Sequence, residues 1–404
     1  MTVTGTDLSA FVAERLVARN PLSRGLFDRE ADRLAGACEE MAGRFQRGGR
    51  LLAFGRGAAA TDAQHVSVEF VHPVIVGKRA LPALDLSAAF AQSLPVMTTE
   101  ADIVMGFAPP AGDPDVDAAL AAAGRRGAQT FGLCAPARFQ IETPTRDPFV
   151  SQELIEVLYH TLWETVHVFF EHGIARPHPE SGAGGGEQPA ADDGGLGASA
   201  FLYPFLDGGG QDLSTVAAEV AASIRMKAAD DERLREEVAG READRIADAI
   251  ATVRRRLDAG GTLLMFGNGG SATDANDWAI DCVSPPAGAA PVRALSLSME
   301  PASISAVAND IGAEAIFLRQ LIAHGRSGDI AVAISTSGGS ANVIAALEEA
   351  RKRRMLTVAL LGYDGGEIVR RGLVDLPIVV RCDYIPRIQE VQASIYHVMT
   401  EAWQ

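Results

Sequence analysis

Nowhere does the sequence hold the eighteen or more unbroken apolar residues that a membrane-crossing helix requires, so a helical span is not expected. Its first residues, MTVTGTDLSAFVAERLVARN, are amphipathic and lack the apolar core of a secretory leader, from which a cytoplasmic location is expected. Cysteine is scarce. Cys38, Cys134, Cys282 and Cys382 are scattered, with no CxxC pair, which argues against a zinc knot or disulfide frame and for reduced, packed thiols. Positive charge is also short: 36 Lys and Arg face 52 Asp and Glu, a net −16 that argues against a footprint for nucleic acid or an anionic membrane. A local basic patch around a small anion survives that average. At 404 residues, 47% of them hydrophobic, the chain has material for two cores.

What is present is organised around Asp329 to Arg353, DIAVAISTSGGSANVIAALEEARKR. Ile330 to Ile334 is a short apolar run of the kind that forms a strand buried on both faces, and Val343, Ile344, Leu347 and Ala350 recur at helical spacing. Between them, Ser335-Thr336-Ser337-Gly338-Gly339-Ser340 crowds hydroxyls and free backbone N–H groups against a helix start, a volume suited to a phosphate monoester. Taken alone, such a loop is as well explained as a simple helix cap. Upstream, Thr262 to Phe266 reads as a second buried strand and is followed by Gly267-Asn268-Gly269-Gly270-Ser271, so two such turns follow two strands.

Four motifs in order, GNGGSATDA, AVANDIGAEAIF (Ala306 to Phe317), STSGGSANV and RIQE (Arg387 to Glu390), resemble a sugar isomerase (SIS) domain, most closely the phosphoheptose isomerase family. That family interconverts sedoheptulose 7-phosphate and an aldoheptose 7-phosphate. The resemblance covers most of 225–404 and implies an α/β fold, a doubly wound parallel sheet with helices on both faces. Strands near 263–266, 294–297, 330–334, 356–361 and 376–380 alternate with helices as that fold requires, after helices over Leu213 to Met226 and Asp231 to Leu257.

The domain is written twice. GRGAAATDAQH, from Gly55, aligns without a gap on GNGGSATDAND, from Gly267; the segments from Ala101 and Gly328 align, as do SQELIEVLYH (Ser151 to His160) and IQEVQASIYH (Ile388 to His397). Two tandem SIS domains are therefore expected, 1–176 and 212–404, joined through 177–211. Pro177 to Ala200 of that joint is Gly/Ala/Pro-rich and reads as a flexible linker, and the apolar Phe201 to Leu206 is a candidate docking tether.

The copies divide the family's residues. The resemblance implies zinc held by a His and a Glu four apart and by a Gln and a His eight apart, the Glu and second His also moving the proton. The first copy has His65, Glu69, Gln152 and His160 at those places, two imidazoles, a carboxylate and an amide of the kinds zinc takes. Its phosphate loop is gone: Ser335-Thr336-Ser337 aligns with Ala108-Pro109-Pro110, Ser340 with Asp113, and Asn268 and Ser271 with Arg56 and Ala59. The second copy keeps Asn268, Gly269, Gly270, Ser271, Asn309, Asp310, Ser335, Thr336, Ser337 and Ser340 for a phosphosugar. Its metal places hold Asp277 and Asp281, with Gln389 and His397 kept, a weaker metal candidate in which Gln389 also counts among the substrate residues.

Three readings follow. In one, the copies pair, and Glu69 and His160 of the first act on a phosphosugar cradled by the second. In another, Asp281 and His397 act wholly within the second copy. In the third, the chain senses a phosphosugar or scaffolds a protein partner without catalysis. Pairing of the copies, and a homodimer forming a pseudo-tetramer, are the expected assemblies.

Overall fold

The computed structural model describes residues 5–73, 78–171 and 213–403. The linker and its apolar tether lie outside the described residues. Two five-stranded, all-parallel sheets share one strand order. The first contains β1 (Leu51–Gly55), β2 (Ala83–Asp85), β3 (Ile103–Phe107), β4 (Gln129–Leu133) and β5 (Phe139–Ile141), in the order 2-1-3-4-5. The second contains β6 (Leu263–Phe266), β7 (Ala294–Ser296), β8 (Ile330–Ser335), β9 (Leu356–Gly362) and β10 (Leu376–Val380), in the equivalent order 7-6-8-9-10. Equivalent registers, Leu51 opposite Ile103 and Leu263 opposite Ile330, reflect the duplication read in the sequence. The central strands are buried throughout, as unbroken apolar runs covered by helices on both faces should be.

Helices α1 (Gly5–Val17) and α2 (Asn20–Gln46) precede the first sheet; α3 (Ala59–Val71), α4 (Phe90–Met97), α5 (Pro114–Arg125) and α6 (Pro148–Glu171) complete that copy. The second copy has α7 (Leu213–Asp258), α8 (Gly270–Val283), α9 (Pro301–Asp310), α10 (Ile316–His324), α11 (Ala341–Lys352), α12 (Gly366–Arg370) and α13 (Ile385–Trp403). The two helices expected over Leu213–Met226 and Asp231–Leu257 are one, α7. Lys227-Ala228-Ala229-Asp230 contains no helix breaker, whereas the equivalent joint between α1 and α2 has Pro21 in the first turn of α2, where it ends the preceding helix.

The leading helices are exchanged. Val12 and Leu16 of α1 are fully buried in the second copy's core, while Val220, Ala221, Ile224 and Ala228 of α7 complete the first copy's. Between the sheets, α3 packs on α8 and α6 on α13, so four helices form the seam on which the functional residues lie. Among the described residues no helix is long and apolar enough to cross a membrane, and all four cysteines are free thiols.

Candidate active site

The turns after β6 and β8 lie at the carboxyl ends of neighbouring strands, where strand order reverses and where ligands of such sheets bind. Reciprocal amide bonds of 2.9 Å between Asn268 and Asn342 tie the two turns together. Ser335 is buried, its Oγ accepting from the Gly338 N–H at 3.2 Å; Ser337 is exposed, its Oγ accepting from Gly339 N–H at 3.3 Å. Ser340 caps α11 by position without a side-chain bond, which leaves its hydroxyl for a ligand. Gly269 has φ +57° at the entrance to α8, and Ser271 is buried two residues on. Asn309 and Asp310 end α9 in solvent, bonded to one another at 2.8 Å. No hydrogen bond among the described residues joins them to the serine turns.

In the first copy's equivalent turns the basic side chain is engaged by acidic ones. Arg56 is paired with Asp115 and lies 3.8 Å from Asp113, and Asp113 accepts from the Asp115 and Val116 N–H groups at 2.9 and 3.2 Å as the N-cap of α5. A cleft of about 540 Å³ remains there, lined by residues including Arg56, Gln64, Asp85, Ser87, Gln92 and Asp115.

At the seam, His65 and Glu69 project from α3 and His160 from α6, and their ligand atoms lie within 4.8 Å of one another. Nε2 of His65 is 3.4 Å from Nε2 of His160 and 3.9 Å from Oε1 of Glu69. The fourth expected member is elsewhere. Gln152 donates to Asp277 Oδ1 at 2.7 Å, and the amide at His65 Nε2, 3.5 Å away, is that of Gln389 from the second copy. Eight residues on one helix share a face but stand about 12 Å apart along the axis, so Gln152 and His160 do not reach one point. The crossing of α6 and α13 supplies the missing amide from the other copy instead. The second cluster mirrors the first: Asp277, Asp281 and His397 converge, joined by Gln152 and by Thr61 Oγ1, 3.0 Å from Asp277.

The second copy's turn also meets the first copy's imidazoles. A Cβ on Gly270 would fall 2.0 Å from Gln389 Nε2 and 2.5 Å from His65 Nε2, so only glycine lets the end of the phosphate turn approach this closely. Cradle and imidazole cluster are thus neighbours across the seam.

The two clusters differ electrically. Burial, then the neighbouring His160, pushes His65 well below its usual value; burial, then Arg387, lowers His160 to about 3. Both imidazoles are neutral at neutral pH. Burial, then Glu164 and Glu390, lifts the Glu69 carboxyl to about 8. In the second cluster burial opposes charge on His397, but hydrogen bonds to Asp277, Asp281 and Glu153 outweigh it and hold the imidazole well above its usual value. Asp281 is raised to about 7 by burial and by Asp277. His397 Nε2 lies 3.2 Å from Asp281 and 3.5 Å from Asp277, so an imidazolium already supplies the cation there. Between the clusters Asp62, Glu156 and Asp274 are pushed well above the ordinary carboxyl range, by burial first and by neighbouring carboxylates.

A family model described as the SIS domain matches residues 228–362. The phosphoheptose isomerase of Citrifermentans bemidjiense is 40% identical over 157 residues, 39% of this chain and 81% of that protein. The chain belongs to the phosphoheptose isomerase family. The family's member from Chlorobaculum tepidum is 41% identical over 177 residues, covering 42% of this chain and 82% of its own. Since the matches take about two fifths of this chain and four fifths of each relative, this phosphoheptose isomerase relative is about twice as long as they are. Over nearly its whole length, 98%, its fold is similar to 93% of the C-terminal domain of glucosamine-fructose-6-phosphate aminotransferase from Francisella tularensis, with a TM-score of 0.55 at 9% identity.

Sequence reasoning missed Glu153 and Glu390, each buried and each accepting from the opposite copy's histidine. The signal was present: Gln-Glu stands at 152–153 and again at 389–390 in the aligned repeat.

Proposed function

We propose that this chain is an aldose–ketose isomerase of phosphosugars, converting sedoheptulose 7-phosphate to D-glycero-D-manno-heptose 7-phosphate at one composite site on the seam. The observation that carries this reading is the approach of Gly270 to His65, which sets the second copy's serine cradle beside the first copy's imidazoles and carboxylate.

Zinc fits the cluster of His65, Glu69, His160 and Gln389. Two neutral imidazoles turn ring nitrogens toward one another at 3.4 Å, close to the roughly 3.3–3.4 Å that tetrahedral zinc with bonds of about 2.0–2.1 Å imposes on its nitrogens. Glu69 Oε2 and Gln389 Oε1 are buried without a hydrogen-bond partner, and turning the Gln389 amide over would exchange its Nε2, now 3.5 Å from His65, for that oxygen. Bound there, zinc supplies Lewis acidity to the sugar's neighbouring oxygens. Ser335, Ser337, Ser340 and Ser271 hold the phosphate. Glu69 takes the proton from one carbon and returns it to the next through an enediol. His160, neutral because burial and then Arg387 lower it to about 3, carries no second proton to give and serves as a ligand of the cluster. The Asp277, Asp281 and His397 cluster, compensated from within, takes metal more weakly.

Nuclear magnetic resonance of sedoheptulose 7-phosphate incubated with the chain tests the reading. Interconversion is expected, abolished by His160→Ala while phosphosugar binding persists, and reduced less by His397→Ala. The opposite ranking moves the chemistry to the second cluster. Binding without turnover in the zinc-loaded chain replaces the isomerase with a phosphosugar sensor.

A further inference from the structure

Each histidine at the seam is held by a carboxylate from the other copy. His160 Nδ1 of α6 lies 2.9 Å from Glu390 Oε1 of α13, and His397 Nδ1 of α13 lies 3.0 Å from Glu153 Oε1 of α6. All four side chains are buried, so no water competes for these bonds. Glu153 and Glu390 occupy the same place in the repeat, immediately after Gln152 and Gln389. Neighbouring helical residues point about 100° apart, which lets one copy send its glutamine to the opposite α3 or α8 cluster and its glutamate to the histidine behind it.

The carboxylate's neighbours set it up to accept a hydrogen bond from His160. The other oxygen of Glu390 is taken by the guanidinium of Arg387, three residues back on α13, and Arg387 lies in turn 3.8 Å from Glu164 of the first copy. With Oε2 held by that guanidinium, Oε1 is the oxygen left to accept from His160, which places the imidazole proton on Nδ1. The lone pair is then on Nε2, the nitrogen that faces His65.

We infer that Glu390 of the second copy is the positioning residue for His160 of the first, fixing the tautomer and ring angle that make Nε2 a metal ligand. This rests on the proposed zinc cluster for its purpose but not for its geometry. Without the second copy, His65 lacks the amide of Gln389 and His160 the carboxylate of Glu390, so neither copy builds a complete site alone. The mirror pair serves another end: Glu153 also receives Arg19, with Nε to Oε2 at 2.8 Å, and the His397 that it holds turns Nε2 to two aspartates rather than to a second imidazole.

The test uses the full chain. Nitrogen-15 spectra of the metal-free protein, labelled at histidine, are expected to show His160 as the Nδ1–H tautomer; a proton on Nε2 instead overturns the inference without any variant. In Glu390→Gln the amide is able to donate to Nδ1, so a share of the Nε2–H tautomer is expected and zinc affinity, read by competition with a chelating dye, falls about 10–100-fold. Glu390→Asp, which keeps the charge, recovers part of that loss. Zinc affinity of Glu390→Gln within twofold of the parent, in protein that melts cooperatively, also overturns it. An inactive chain with the Nδ1–H tautomer and the affinity loss intact would sink the isomerase reading and leave this one standing.

Discussion

In the proposed site Glu69 would couple protonation, metal and stability in a single side chain. With its carboxyl lifted from 4.5 to about 8, the folded, metal-free chain keeps a proton that the unfolded chain has released. The stability this gives is complete below about pH 4.5 and is lost as pH rises through about 8. Chelated protein is therefore expected to melt at lower temperature at about pH 8.5 than at about pH 5, and zinc should restore more at the higher pH, where the ligand form is already present. Glu69→Gln should make both slopes shallower, though the raised Asp281, Asp62, Glu156 and Asp274 keep part of them. Melting curves with the variant's slopes unchanged would remove Glu69 from the account. At the cradle, Ser337→Ala should weaken phosphosugar binding at least tenfold by calorimetry, since a hydroxyl bonded to a charged group contributes about 1.5–3 kcal/mol. Asp113→Ala, in the turn that caps α5, should leave that binding unchanged.

At the scale of elements, the joint between α1 and α2 is a buried charge centre. Arg19 is 1% exposed, reaches Glu153 with two nitrogens and lies 3.1 Å from Glu401 on α13. Burial works to raise Glu153, but Arg19 and His397 outweigh it and hold the carboxylate well below its ordinary range. Arg19→Ala strands that charge, and a loss of about 3–5 kcal/mol is expected in denaturant melts. A loss below 1 kcal/mol would show that His397 and Ser394 suffice. The strands were legible from apolar runs and turn residues: expected spans such as 263–266 and 330–334 appear as β6 and β8 nearly unchanged. So were the three-residue clusters, because a spacing of four on a helix places His65 and Glu69, or Asp277 and Asp281, together by local geometry. The exchange of Gln152 and Gln389 was not legible. It depends on how α6 crosses α13, and the contacts that result join residues 125 and 324 positions apart. The fusion of two helices into α7 was open to reading, since Lys227 to Asp230 contains no helix breaker.

For the molecule as a whole, the seam makes the copies one functional unit whatever the connecting residues do. A protease site placed between 172 and 212, once cut, should leave a single particle that elutes as the uncut chain does and takes up zinc to the same extent. Two separating halves would contradict the shared core. That core has a consequence in time. The first copy's hydrophobic interior is finished by Val220, Ala221, Ile224 and Ala228, residues made well after its last strand and helix. As synthesis proceeds from the N-terminus, the first copy must wait on the ribosome with an apolar face uncovered until the start of α7 emerges, while α1, made first, waits longest for the core it fills. The first copy's core is therefore expected to close fully only when both ends have met, and a nascent chain arrested before residue 213 is expected to recruit chaperones that the released protein does not.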